Sequence, residues 1–211
     1  MPEKVHHPLF ARLYMRMTSG RKAHGEDEHR LRLLAGLSGE VIEVGAGNGL
    51  NFPLYPETVT RVIAVEPEPR LRQAAIAAAA DAPVPVEVVA GVAGDLPPAD
   101  ESFDAGVASL VLCSVSDQSQ ALAELRRVIR PGGELRFYEH VVAHKPWVRR
   151  MQRAADATFW PHVGGGCHLS RDTGAAIERG GFRIESQKRF PFTPGPPVPP
   201  IPHILGVAKR P

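Results

Sequence analysis

The sequence predicts an α/β domain in which helices cover both faces of a seven-stranded, mostly parallel sheet. Short apolar runs of β-branched residues, typical of buried parallel strands, alternate with amphipathic segments at helical spacing. A glycine-rich turn follows the first of these runs directly, and two further runs close the chain. We therefore expect a doubly wound sheet whose last two strands form an antiparallel hairpin.

Length and composition limit the kinds of protein that this chain can be. Its 211 residues are 43% hydrophobic and 23% charged, which suits one globular domain with a sizeable core. The net charge is +2 without a stripe of basic residues, so we expect no nucleic-acid partner. No apolar run reaches ~20 residues and no signal-peptide pattern is present, so we expect no spanning helix and a cytoplasmic location.

The two cysteines are far apart in the chain. Neither Cys113 nor Cys167 has metal-ligand spacing around it, so we predict no metal site and no disulfide scaffold. We interpret Cys113 as a small buried hydrophobe and Cys167 as a packing residue in a glycine-rich turn. This pattern favours a reducing compartment.

Two helices are predicted in the first 35 residues. The apolar residues of the first recur at helical spacing: Leu9, Phe10, Leu13, Tyr14 and Met17. Ser19 and Gly20 should end it, and a second helix should run from Glu26 to Leu34. The first helix has three interpretations: it packs on the domain, closes over a pocket as a lid, or lies on a membrane surface.

The chain is organised around a strand over residues 41–44 and the turn after it. That turn has three alternating glycines: Gly45, Gly47 and Gly49. Such a turn lets the backbone approach a ligand closely, as in nucleotide-binding βαβ units. The dinucleotide fingerprint needs its third glycine where this chain has Leu50, so a dehydrogenase is disfavoured. An acid, Glu43, stands two residues before the first glycine, and Asn51 follows the turn.

Two acids further along should lie at strand ends on the same edge of the sheet. Glu66 ends the second strand 21 residues after Gly45, where an acid can reach a ribose. Asp95 lies in a Gly-Asp-Leu-Pro loop after the third strand. Each also has a structural interpretation, since Glu66 could be a solvated strand-end acid and Asp95 an ordinary turn residue.

The remaining strands and helices follow in alternation. Strands are predicted over residues 61–66, 85–89, within 102–114, and over 134–141, 182–190 and 203–209. Helices are predicted over residues 71–80, 119–129, 146–160 and 172–179, with a short or distorted helix over the proline-containing residues 51–56. Arg130-Pro131-Gly132-Gly133 should break the chain before the fifth strand.

A proline-dense connection separates the last two strands. Seven of the twelve residues from 191 to 202 are proline, which gives the segment an extended, semi-rigid character. We interpret it as a stiff rim over the active site. A docking ligand for an SH3-type domain is the minor alternative.

The acid followed by alternating glycines resembles the first motif of the class I S-adenosylmethionine-dependent methyltransferases. The Val-Ile-Arg-Pro-Gly-Gly segment before the fifth strand resembles them too. This resemblance implies a Rossmann-like fold and S-adenosylmethionine as cofactor, with Glu66 and Asp95 on the adenosine and the glycine turn on the methionine portion. It implies these cofactor-binding residues: Glu43, Gly45, Ala46, Gly47, Gly49, Asn51, Glu66, Pro67, Asp95, Leu96 and Leu110.

A narrower resemblance comes from Leu-Cys-Ser-Val at residues 112–115, Glu-His-Val at 139–141 and Gly-Cys-His-Leu-Ser-Arg at 166–171. With Pro-His-Ile at 202–204, they look like the alkyl-thiol S-methyltransferases, enzymes of microsomal and lipid-droplet membranes. The similarity runs from about residue 37 to the C-terminus. The sequence shows no segment like that family's long hydrophobic N-terminal anchor, so we expect at most weak peripheral membrane contact. Its proline-dense loop also differs.

The resemblance implies methyl transfer to a small apolar acceptor, with a thiol as the leading hypothesis. His140 and His203 are the candidate bases, and Asp95 is a third catalytic candidate if it faces the acceptor. The alternatives are a C- or O-methyltransferase of quinones or phenols and a non-catalytic cofactor-binding module. In this interpretation one domain comprises a helical cap (1–36), a cofactor-binding core (37–143) and a substrate-side segment (144–211).

Overall fold

The computed structural model describes residues 8–18, 26–193 and 200–211 of the chain. The strands are β1 Gly39–Val44, β2 Val59–Val65, β3 Val86–Val89, β4 Phe103–Ser109, β5 Ile129–His140, β6 Arg183–Phe192 and β7 Ile201–Lys209. The helices are α1 Pro8–Thr18, α2 Glu26–Leu34, α3 Pro69–Ala79, α4 Gln118–Val128, α5 Pro146–Asp156, α6 Trp160–Val163 and α7 Thr173–Arg179. The predicted end of the first helix at Ser19-Gly20 and residues 194–199 of the proline-dense loop lie outside the described residues.

All seven strands form one sheet in the order β3-β2-β1-β4-β5-β7-β6. Neighbours from β3 to β5 are parallel, whereas β7 runs antiparallel to both β5 and β6. The predicted fold class, a mostly parallel sheet with an antiparallel C-terminal hairpin, is confirmed. In such a sheet the carboxyl ends of the parallel strands share one edge, which is where ligands bind.

Helices cover both faces of the sheet because its strands are apolar on both sides. On β1, Ile42 packs into a core with Leu125 of α4 and Ile177 of α7. Its neighbour Val41 points the opposite way, into a core that includes Leu34 of α2. Successive strand residues alternate between the faces, so one strand contributes to both cores.

Helix starts follow from local capping chemistry. The Glu68 side chain accepts the backbone N–H groups of Arg70 and Leu71, and Pro69 occupies the first turn of α3. Asp117 caps α4 in the same way. These caps satisfy N–H groups that have no partner within the helix. The distorted helix predicted after the glycine turn is a single 3₁₀ turn over Phe52–Leu54.

Two predicted boundaries were wrong. β5 begins at Ile129 and runs through the proposed break, because an irregularity in its pairing with β4 absorbs the Pro-Gly-Gly segment. The helix predicted over residues 146–160 ends at Asp156, and a separate helix begins at Trp160. Pro161 lies in the first turn of this separate helix, where proline is tolerated.

Candidate active site

A cavity of about 900 Å³ opens at the carboxyl ends of the parallel strands. Its size lies in the range of small-molecule sites. Eight residues predicted from the sequence line it: Gly45, Gly47, Glu66, Pro67, Asp95, Leu110, His140 and His203. The structure therefore brings the glycine turn, both strand-end acids and both candidate histidines to one cavity.

The glycine turn is held against Glu66. The N–H of Gly47 donates to one Glu66 oxygen at 2.8 Å, and the N–H of Glu68 donates to the other at 2.9 Å. Gly45 has a φ of +65°, and a Cβ there would lie 2.8 Å from the Cβ of Val111. Burial raises the pKa of Glu66 to about 7, against the opposing effect of the two N–H donors.

The cavity has an acidic end and an imidazole end. Strand order places Glu66 after β2, the glycine turn after β1, Leu110 after β4 and His140 at the end of β5. With neighbouring strands ~4.8 Å apart, the ends of β2 and β5 are separated by about 14 Å. Asp95 follows β3, on the acidic side. This placement favours contact with adenosine over contact with a methyl acceptor.

Two of the predicted cofactor residues are buried beneath the turn, away from the cavity lining. Glu43 accepts hydrogen bonds from Asn51 Nδ2 at 2.8 Å and from the Tyr55 hydroxyl at 2.7 Å. Asn51 Oδ1 accepts from Arg30 of α2 at 2.8 Å. Strand alternation turns Glu43 toward the α2 face, so its carboxylate braces the base of the turn.

Three further predicted residues also lie outside the cavity lining. Ala46 is buried in the core on the α2 face. Gly49 lies against Phe52, whose ring a Cβ would approach to 2.8 Å, so its absence of a side chain serves packing. Leu96 is buried in the other core, and its N–H donates to Glu124 of α4.

The buried Glu43 carboxyl should make stability depend on pH. Burial raises the pKa of Glu43 from 4.5 to about 7, although Tyr55 and Asn51 donate to it. The folded chain then holds more protons than the unfolded chain, so this contribution is present below pH 4.5 and lost as pH rises through about 7. Between pH 4.5 and about 7, the free energy of unfolding of the wild type, measured with urea, should fall by up to about 3 kcal/mol relative to that of Glu43→Gln.

The exposed acid Glu57 supplies the control for this measurement. Glu57→Gln removes a carboxylate without touching the buried network, so its stability should follow wild type across the window. Parallel curves for wild type and Glu43→Gln would show that Glu43 does not titrate there.

His140 and His203 form the imidazole end. They are register partners on β5 and β7, and their ring centroids are 4.5 Å apart. His203 Nδ1 donates to the Ile201 carbonyl at 2.8 Å, which leaves Nε2 as the acceptor nitrogen. Burial, reinforced by His140, lowers the pKa of His203 to about 3. His203 is therefore a weak proton acceptor, although its neutral Nε2 can still accept a hydrogen bond.

Both cysteines lie against His140. Its Nδ1 is 3.4 Å from the Cys113 sulfur and 3.3 Å from the Cys167 sulfur, and the sulfurs are 3.6 Å apart. Both cysteines are buried, as predicted, and Cys167 also lines the cavity. The hydrogen bond between the thiols lowers the pKa of Cys167, while the same bond and burial raise the pKa of Cys113.

The sequence interpretation missed the residues that brace the turn after β4. Glu139 accepts the N–H groups of three successive residues, from Val111 to Cys113, at 2.8–3.0 Å. Arg171 donates to the Leu112 and Val115 carbonyls of the same turn. A strand-end acid beside a candidate histidine was the available signal for Glu139. Arg171 ends the Gly-Cys-His-Leu-Ser-Arg motif, but we predicted no role for it, and no local pattern pointed to Arg30.

Helix α1 forms part of the cavity wall. Phe10, Tyr14 and Met17 line the cavity, whereas Leu9 is 79% exposed. Thr18 at the end of α1 accepts a hydrogen bond from Asn48 of the glycine turn at 3.0 Å. The described part of α1 therefore packs on the domain and covers the cavity. Across residues 8–18, 26–193 and 200–211, no helix combines the length and apolarity needed to cross a bilayer.

Comparison with known proteins identifies the family. The protein family described as "Methyltransferase domain" matches residues 42–137. Thiol S-methyltransferase TMT1B of Mus musculus is 37% identical over 207 residues, covering 96% of this chain and 83% of that protein. The chain belongs to this thiol S-methyltransferase family. It is an S-adenosylmethionine-dependent methyltransferase, as the sequence resemblance predicted.

More distant proteins share part of the sequence or the fold. The demethylmenaquinone methyltransferase of Thermobifida fusca is 41% identical over 100 residues, covering 46% of this chain and 42% of that enzyme. A solved S-adenosylmethionine-dependent methyltransferase from Methanosarcina mazei has a TM-score of 0.65 at 18% identity, covering 85% of this chain and 96% of that chain. This structural likeness concerns the fold.

S-adenosylmethionine is the cofactor of this methyltransferase, and the cavity fits it. Gly45 and Gly47 both line the cavity, so a ligand can approach the backbone of the turn with no side chain in between. Glu66 offers a buried carboxylate at the acidic end. Its oxygens already accept hydrogen bonds from Gly47 and Glu68, and their remaining lone pairs can accept hydrogen bonds from hydroxyl groups.

Proposed function

We propose that this methyltransferase transfers the methyl group to the sulfur of a small apolar thiol. The observation that carries the proposal is the imidazole end of the cavity, where His140, His203 and Cys167 lie beyond the glycine turn. The 37% identical mouse relative is named a thiol S-methyltransferase, which supports the same acceptor.

The acidic half of the cavity would hold the cofactor. Glu66 would accept hydrogen bonds from the ribose hydroxyls, and Asp95 would accept one from the adenine amino group. The backbone at Gly45 and Gly47 would contact the methionine portion. When bound, the cofactor supplies an electrophilic methyl group on a sulfonium. The separation of roughly 14 Å that three strand spacings place between the ends of β2 and β5 then leaves the imidazole end for the acceptor.

The walls of the acceptor half favour an apolar molecule. This part of the cavity is lined by five apolar side chains: Val115, Trp160, Val163, Phe192 and Ile201. They contribute no charged group, so they would exclude water from the acceptor and leave its alkyl part in an apolar environment. His203 would accept a hydrogen bond from the acceptor S–H through its neutral Nε2.

Positioning supplies much of the expected acceleration. Methyl transfer is an in-line displacement, so the acceptor sulfur must lie roughly 3 Å from the methyl carbon and opposite the leaving sulfur. A thiol with a pKa near ~8.5 is partly ionised at neutral pH, which makes it a competent nucleophile after a modest fall in pKa.

Acceptor selectivity tests the proposal directly. The purified chain should transfer labelled methyl from S-adenosylmethionine to a short alkyl thiol and not to the alcohol of the same chain length. A phenol and a hydroquinone complete the panel. Turnover of the phenol or hydroquinone without turnover of any thiol would overturn the thiol assignment.

His203→Ala tests the role of the imidazole end. The variant should lower thiol turnover by roughly 100-fold, because it removes the group that would orient the S–H. Its affinity for S-adenosylmethionine should be unchanged, since the cofactor would lie toward the other strands. His162→Ala is the control, because His162 is exposed on α6 and lies outside the cavity lining.

A quinone or phenol acceptor is the second candidate, with C- or O-methylation as the reaction. It is favoured by the similarity of 100 residues to a demethylmenaquinone methyltransferase. That similarity covers less than half of this chain, whereas the thiol relative covers nearly all of it. The thiol is therefore the preferred acceptor.

A further inference from the structure

Three potential metal ligands converge at the imidazole end of the cavity. Within the described residues, Cys113, His140 and Cys167 are the one group of three His, Cys, Asp or Glu side chains whose ligand atoms could hold an ion, all within 4.8 Å of one another. They come from the turn after β4, the end of β5 and the turn after α6. Spacing along the sequence does not reveal them, which is why we predicted no metal site.

The separations match the edges of a tetrahedral zinc site. Bonds of about 2.3 Å to sulfur and about 2.0–2.1 Å to nitrogen place tetrahedral ligand atoms roughly 3.5–3.8 Å apart. Here the two sulfurs are 3.6 Å apart, and the His140 Nδ1 lies 3.4 Å and 3.3 Å from them. An ion could be held with shifts of a few tenths of an ångström.

The surroundings hold these ligands in place. Glu139 accepts the Cys113 N–H at 3.0 Å and two neighbouring N–H groups, so the backbone of the first cysteine is fixed. The Cys113 carbonyl accepts from the N–H of His168 at 2.8 Å, which joins the two cysteine-bearing turns. Hydrogen bonds to the groups that carry metal ligands orient those ligands and strengthen metal binding.

We propose that Cys113, His140 and Cys167 bind a zinc-type divalent cation whose fourth coordination position faces the cavity. His140 and Cys167 line the cavity, so that open position is directed toward the proposed acceptor. Three protein ligands with one open position are the arrangement of catalytic zinc, and two thiolates with one imidazole favour zinc over harder cations.

The catalytic part of this inference rests on the proposed thiol acceptor. The acceptor thiol would coordinate the ion and release its proton to solvent, which leaves a bound thiolate. The thiolate lone pair would form the new sulfur–methyl bond while the carbon–sulfonium bond breaks and its electron pair stays on the departing sulfur. The products are a neutral thioether, which is a weaker ligand and dissociates, S-adenosylhomocysteine and one proton.

Cobalt reports this coordination without relying on activity. The 211-residue chain, reduced and treated with a chelator, should bind Co²⁺ with tetrahedral ligand-field bands and thiolate-to-cobalt charge-transfer absorption, and Zn²⁺ should displace it. Adding an alkyl thiol should change the cobalt spectrum, and the matched alcohol should not. Removing a ligand with Cys113→Ser or Cys167→Ser should weaken metal binding by ~100-fold or more.

A histidine control and a variant-free measurement complete the test. His144→Ala should bind the metal as wild type does, because His144 is exposed and four residues from His140. If a cysteine variant fails to fold, alkylation of the wild-type chain still decides the question. Zn²⁺ should protect Cys167, which lines the cavity, from iodoacetamide. Chelation should lower thiol turnover by at least ~10-fold, with recovery on adding zinc.

Four outcomes separate the possibilities. Absence of a thiolate–cobalt spectrum in reduced protein overturns the site, including where Cys113 and Cys167 are instead found as a disulfide. Thiol turnover that is indifferent to chelation overturns the catalytic role of the ion. Metal binding through both cysteines without methylation of any thiol supports the site and overturns the proposed acceptor. Zinc-dependent thiol methylation supports both.

Discussion

Glu66→Gln should weaken binding of S-adenosylmethionine by roughly 100-fold. The wild-type carboxylate accepts the N–H groups of Gly47 and Glu68, and it would also accept the ribose hydroxyls. An amide has one acceptor oxygen, so the variant must place an NH₂ group against a backbone N–H. Loss of hydrogen bonds to a charged acceptor costs about 1.5–3 kcal/mol, and distortion of the turn adds to that cost.

Calorimetric titration with S-adenosylmethionine and S-adenosylhomocysteine measures this effect. Burial raises the pKa of Glu66 to about 7, and hydroxyl donors bind the ionised form. Wild-type affinity should therefore rise between pH ~6 and ~8, and this rise should be absent in the variant. Glu87→Gln, at an exposed acid paired with Arg61 outside the cavity, should bind normally. Equal affinities for wild type and Glu66→Gln would remove Glu66 from the cofactor site.

Gly45→Ala should lower the free energy of unfolding by about 2–5 kcal/mol and abolish cofactor binding. The residue has a φ of +65°, a conformation that costs an L-alanine about 1–2 kcal/mol. The added Cβ would also lie 2.8 Å from the Cβ of Val111, on the turn after β4. Overpacking of this kind typically costs 1–3 kcal/mol more.

Gly132→Ala isolates the backbone part of this cost. Gly132 has a φ of +80°, and nothing lies within 4 Å of a Cβ built there. Urea unfolding should therefore show a loss of about 1–2 kcal/mol for Gly132→Ala and a larger loss for Gly45→Ala. Adding Val111→Ala to Gly45→Ala should recover part of the difference. Equal losses at the two glycines would show that the contact with Val111 is relieved by relaxation.

The sequence was sufficient to predict those parts of the fold that depend on residues close to one another along the chain. Apolar strands such as residues 41–44 and the alternating glycines after them depend on neighbours within a few positions. The predicted helix over 146–160 stopped before Pro161, but its earlier end at Asp156 was missed. Helical periodicity around 146–160 concealed it.

Other features arise only when distant segments meet. Arg30 on α2 donates to Asn51 and Ser109, which lie 21 and 79 residues away, and nothing in its own helix predicts those partners. We predicted no metal site at Cys113 and Cys167 because they are far apart in the chain, yet both sulfurs lie within 3.4 Å of His140 Nδ1. Tertiary contacts of this type need the sheet order, which single residues do not encode.

The antiparallel ladder that carries His203 has a consequence for how this enzyme can diversify. Pairing of β6 with β7 extends to Phe192 and Ile201, and pairing of β7 with β5 fixes His203 opposite His140. Residues inserted into the proline-dense loop between β6 and β7 would lengthen that loop and leave the strand pairing unchanged. Sliding β7 by one position would instead exchange its two faces, which the buried core opposes. The proline-dense loop can therefore change in length and composition during evolution while His140 and His203 stay opposite each other.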